Sequence, residues 1–106
     1  KHMIWSTVVY NALDQLRHRV AWALASIFIV TEGDIDFGET NEAWSAYYDI
    51  FVRNAFDGFG KILKQVSFNP LMGIMLTFEG SRSLAYNIED RNAMLYPDEN
   101  YAREIM

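Results

Sequence analysis

Residues 20–30 read VAWALASIFIV, the most apolar stretch of the chain, interrupted only by Ser26. A transmembrane helix needs about 20 consecutive apolar residues, so this stretch is too short to cross a bilayer. Together with the residues before it, the stretch predicts a helix over 16–30 that is apolar on every side, which is typical of a helix surrounded by other elements. We therefore expect a core helix here and no membrane span.

Helical periodicity continues on both sides of this core helix. Upstream, apolar residues recur every three or four positions from about Met3, and Asp14 is placed to cap the core helix by accepting backbone N–H groups of residues 16 or 17. Downstream, we expect Pro70 at the first position of a helix that Asn69 caps. The periodicity predicts downstream helices over residues 42–55, 59–66 and 71–78.

The last quarter of the chain has a different pattern. Residues 80–96 show no sustained period and mix serine, asparagine and aspartate with isolated apolar residues, which predicts a long irregular loop near residues 79–97. Pro97 then favours a helix start, and helix-forming residues run from Glu99 to the end. For residues 1–106 as a whole we predict a single all-α segment, an irregular orthogonal bundle of about six helices that is part of a larger domain.

The composition excludes several kinds of site and partner. The chain has 106 residues and a formal charge of −5, with nine basic residues scattered along it. Nucleic-acid binding depends on clustered lysine and arginine, so we expect no nucleic-acid partner. The absence of cysteine excludes disulfides and thiolate zinc sites. The sequence contains no nucleophile elbow, phosphate loop or dinucleotide fingerprint, so it indicates no particular cofactor.

The closing helix divides into a polar half and an apolar half. The polar half comprises Glu99, Asn100, Arg103 and Glu104. Glu99 and Arg103 form an i,i+4 pair in the favourable order, and a solvent-exposed face explains the pattern without chemistry. If another element buries this face, it could be a polar network that docks the helix onto the core. It could also hold a metal ion, a water or a polar ligand, with carboxylates suited to general acid–base work.

Several blocks of the sequence resemble one known family. In chain order they are DQLRHRVA (14–21), AL (23–24), YYD (47–49), NAF (54–56), MG (72–73) and PDENYARE (97–104). They look like blocks of the large, mostly bacterial proteins known as the domain of unknown function 1800 family, and the last block is that family's most specific motif. The chain departs from the family pattern at Asn69, where a histidine commonly precedes the proline.

The resemblance implies an all-helical protein several times longer than this chain, often exported in bacteria, with no established activity. It also implies that the closing helix continues, so we expect a fragment whose partner is the rest of the parent polypeptide, with any targeting segment outside it. Apolar surface left uncovered would favour self-association. We expect a structural or interaction core. The alternative is a hydrolase-like or metal-dependent site on the Glu99–Glu104 face.

Four further polar residues are weaker candidates for ligand binding: Arg17, Arg19, Asp49 and Asn54. One of the two arginines could reach the carboxylates of the closing helix as an ion pair. Asp49 and Asn54 have a simpler interpretation as hydrogen-bonded groups near a helix end. His18 lies four residues after Asp14, and a helix-surface pair accounts for it without a metal.

The loop after the core helix is acidic. Its carboxylates are Glu32, Asp34, Asp36 and Glu39. This alternation invites a calcium interpretation, but the EF-hand spacing fails, because the glycine position counted from Asp34 is occupied by Glu39. We therefore predict a solvated acidic loop and no metal site.

Overall fold

Seven helices form in the part of the chain that the computed structural model describes, residues 2–31 and 40–105. In chain order they are α1 (His2–Asn11), α2 (Gln15–Ile27), α3 (Thr40–Arg53), α4 (Phe59–Ser67), α5 (Pro70–Met75), α6 (Leu84–Arg91) and α7 (Asn100–Glu104). These ranges contain no strand, which confirms the all-α class. Within them, no helix combines the length and the apolar character that crossing a bilayer requires.

The central helix is α3, because α2, α4 and α5 all pack against it. Its side chains Tyr47, Ile50 and Phe51 are buried, and Phe51 has no exposed surface. Phe28, just after α2, stacks on Phe51 with the ring centroids 6.0 Å apart and on Phe59 of α4 at 5.6 Å. Burying an aromatic side chain of this size contributes about 1.5–3 kcal/mol. This aromatic stack therefore joins α2, α3 and α4 into one core.

The apolar helix α2 is only partly enclosed. Ala21 is fully buried, whereas Trp22 is 54% exposed and Ile27 is 65% exposed. Among the described helices α2 packs against α1 and α3, so the prediction that other elements surround it is wrong for this chain. The reason is the thickness of the molecule, which measures 56 × 33 × 15 Å. A helix with its side chains is about 10–12 Å across, so a molecule this flat leaves part of α2 without a neighbouring helix.

Two predicted helix caps have different outcomes. The Asn69 cap is confirmed: its side-chain oxygen accepts the Leu71 backbone N–H at 3.0 Å, and Pro70 occupies the first turn. The Asp14 cap is wrong, because Asp14 stands before α2 but its carboxylate accepts no backbone N–H. Its carboxylate lies 3.5 Å from the Nε atom of Arg17 instead. An accessible guanidinium competes successfully with the helix end for this carboxylate.

The segment predicted as a long irregular loop contains a helix. The hydroxyl of Ser83 accepts the Tyr86 backbone N–H at 3.2 Å and begins α6, which ends at Asn92 in the left-handed conformation with φ 49°. The loop prediction is therefore wrong for residues 84–91. The one buried residue of α6 is the polar Asn87, and its apolar pair Leu84 and Ile88 spans a single turn, which is too short to establish a helical period.

A second left-handed residue follows α5. Thr77 has φ 58°, a conformation that is unfavourable for a β-branched side chain. The Thr77 hydroxyl is directed at the segment that precedes α7, which is described below. Threonine disfavours this conformation, so contacts with the surrounding residues must hold the backbone in it.

Candidate functional site

The polar half of the closing helix lies at the surface. Glu99, Arg103 and Glu104 are exposed, and Asn100 is half-buried. The Glu99 carboxylate and the Arg103 guanidinium form the expected i,i+4 ion pair, with side chains 76% and 65% exposed. No described element covers this face, so within this chain it is a solvated surface. Within the described residues this face therefore does not form a buried polar network that docks the helix onto the core.

Asp98, which is outside the candidate residues predicted from the sequence, holds the start of α7. Its carboxylate accepts the Thr77 hydroxyl at 2.5 Å and the Asn100 backbone N–H at 2.8 Å, and its own N–H donates to the Ser81 hydroxyl at 3.0 Å. The bond from Thr77, followed by the one from Asn100, lowers the pKa of Asp98 below its ordinary value of 3.8. The sequence does contain a signal for this role. Asp98 follows a proline, and an aspartate commonly bonds the backbone N–H two residues later.

Tyr101 is the apolar anchor of the same helix. Its ring lies 4.7 Å from the ring of Phe78, centroid to centroid. Its hydroxyl contacts the hydroxyl of Ser67 at the end of α4. The specific motif PDENYARE therefore attaches this segment to the core through Asp98 and Tyr101, while its glutamates face solvent.

Neither arginine of α2 is seen to pair with the closing helix. Arg17 lies 3.5 Å from Asp14, donates to the Val52 carbonyl at 3.0 Å and places its guanidinium 4.9 Å from the Phe56 ring centroid. Arg17 therefore ties α2 to the end of α3, which corrects the expectation that it reaches Glu99 or Glu104. Arg19 is exposed on α2.

Asp49 and Asn54 have local partners. The Asp49 carboxylate lies 3.3 Å from Arg53, one turn further along α3. Asn54 is 3% exposed, and its amide donates to the Ile50 carbonyl at 2.6 Å and to the Gln65 side-chain oxygen at 3.0 Å. Asn54 thus closes the end of α3 and connects it to α4, because a buried amide must have its hydrogens satisfied.

A groove between α1, α2 and α3 has a volume of about 640 Å³. Aromatic side chains from all three helices line it. Trp5 lies 4.6 Å from Trp22 between ring centroids and meets Tyr48 edge-on at 5.9 Å. Burial raises the pKa of Tyr48, and a hydrogen bond with Trp5 opposes the shift. We call this the α1–α3 groove, and it is the candidate ligand site of the chain.

His18 is a buried polar residue in the wall of this groove. It is 8% exposed, which corrects the expectation of a helix-surface pair. Its Nε2 atom lies 3.6 Å from the Asp14 carboxylate, as the i,i+4 spacing predicted. Its Nδ1 atom is buried and has no hydrogen-bond partner. Such an unpaired buried atom is rare in folded proteins.

The described residues contain no group of three or more histidine, aspartate or glutamate side chains that could hold a metal ion. The predicted acidic loop, with Glu32, Asp34, Asp36 and Glu39, lies outside the described residues. The groove itself went unrecognised in the sequence because its walls come from three separate helices. Trp5, Trp22 and Tyr48 fit the periodicity of their own helices, which does not indicate that they come together.

Comparison with known proteins places the whole chain in one family. A family model described as a protein of unknown function (DUF1800) matches residues 1–106. No curated protein matches the chain. No solved structure matches it either. Because the family model covers the entire sequence, this chain belongs to the DUF1800 family.

Proposed function

We propose that this chain is a structural and interaction layer of a larger helical protein. The observation that carries this proposal is its shape. The radius of gyration is 16.7 Å, whereas a compact domain of this length has about 13 Å. The accessible surface is 7740 Å², whereas a compact monomer of this mass exposes about 6,100 Å². Domains normally bury their apolar faces between packed layers, and this chain leaves many large apolar side chains uncovered.

Exposed apolar side chains support the same conclusion. Leu13 between α1 and α2 is fully exposed, Leu16 is 70% exposed, and Phe68 after α4 is 80% exposed. Further large apolar residues are exposed after α6, namely Met94, Leu95 and Tyr96. Single exposed apolar residues are ordinary, but many on one small layer mark surfaces that contact other polypeptide.

The covering polypeptide that we propose is further helices of the same parent protein. The chain exposes about 1,600 Å² more surface than a compact monomer of its mass. One partner buries about 800 Å² in a standard interface, so an area twice as large is typical of obligate interfaces. A second copy is disfavoured because each chain carries a charge of −5 and like charges repel. Self-association of the isolated chain is expected only because those helices are absent.

Cysteine labelling tests the proposal directly, since the chain contains no cysteine of its own. We compare Leu16→Cys with Lys64→Cys, an exposed polar position on α4, in a cysteine-free background of the full-length protein. The thiol at position 16 should react far more slowly than the thiol at 64, and the two should react alike in the isolated 106 residues. Equal reactivity in the full-length protein would refute the covering layer.

The isolated chain gives a second readout. Light scattering should show concentration-dependent association of the 106 residues, because the exposed apolar surface has nothing else to contact. A monodisperse monomer that melts cooperatively at every concentration would contradict the proposal. A hydrolase-like or metal-dependent site on the Glu99–Glu104 face would require the same covering layer to bury those carboxylates, and no described contact favours it.

A further inference from the structure

We draw no further inference here: the strongest candidate, the apolar α1–α3 groove with Trp5, Trp22 and Tyr48 in its walls, carries none, because nothing in the part of the chain that the structure describes shows what covers it.

Discussion

Two regions of this chain are held together by different interactions. Residues 15–31 and 40–75 form a core in which α2, α4 and α5 pack against α3 and bury apolar side chains such as Phe51, Ile62 and Val66. Residues 81–105 contain two helices, α6 and α7, that make no comparable helix-to-helix packing with the other described helices. Asp98 and Tyr101 attach them to the rest of the chain, and Asn87 forms its hydrogen bond within the region. Apolar burial does not depend on pH and is shared among many side chains, whereas a hydrogen-bonded attachment depends on single groups.

The largest effect is expected from truncating the core. Phe51→Ala should lower the free energy of unfolding by about 3–5 kcal/mol, because a fully buried phenylalanine leaves a cavity. Urea denaturation followed by circular dichroism measures it. The control Phe68→Ala removes a ring that is 80% exposed and should cost less than about 0.5 kcal/mol. Similar losses for both variants would show that residues 15–31 and 40–75 are not the stable unit.

A smaller effect is expected in the second region from Asn87→Ala. The buried Asn87 amide donates to the Leu95 carbonyl at 2.8 Å, and losing such a bond costs about 1 kcal/mol. Hydrogen exchange should accelerate at residues 84–95 while the amides of α3 stay protected. Glu89→Ala, an exposed position on the same helix, should leave both regions unchanged. Equal acceleration in α3 would mean that the two regions unfold as one.

Lowering the pH should release the second region before the first. Hydrogen bonds from Thr77 and then from Asn100 lower the pKa of Asp98 below 3.8, so the unfolded state binds a proton more readily. The contribution of Asp98 is therefore present above its ordinary pKa and is lost as the pH falls through the lowered value. NMR should show the Asn100 amide moving in that window, below 3.8. In Asp98→Asn this transition should be absent, and a transition that persists would implicate another group.

The smallest effect is expected at the surface of α7. Glu99→Gln should cost about 0.3–0.5 kcal/mol and nothing at 1 M salt, because its pair with Arg103 is exposed. Glu104→Gln should change stability by less than about 0.5 kcal/mol, since Glu104 is also exposed. Denaturation of the isolated chain checks both values. A loss of several kcal/mol from either variant would indicate that this face is buried after all.

The helices that periodicity could predict are those that contribute to the apolar core. The repeats of α3 and α4 and the Asn69–Pro70 start of α5 appear in the structure close to their predicted bounds. Helix α6 was missed because its eight residues are too few to establish an apolar period, although Ser83 and Asn92 stand at its two ends as capping residues. In a helix this short the capping residues, and not a hydrophobic period, are the sequence signal that predicts it.

The polar contacts between different helices could not be predicted because they join residues far apart in the sequence. Arg17 donates to Val52, 35 positions away, and the hydroxyls of Ser67 and Tyr101 meet across 34 positions. Spacing rules apply within one helix and carry no information about which helices become neighbours. The groove beside His18 was hidden for the same reason, since it exists only where three helices meet.

The backbone conformation at Thr77 and its hydrogen bond to Asp98 favour different side chains. Glycine would suit its φ of 58° but would take away the hydroxyl that reaches Asp98. Asparagine tolerates the same backbone region and keeps a donor, so it is the replacement that could serve both. An engineered change at Thr77 therefore has two separate aims, a residue that favours the left-handed turn and a side chain that still bonds Asp98.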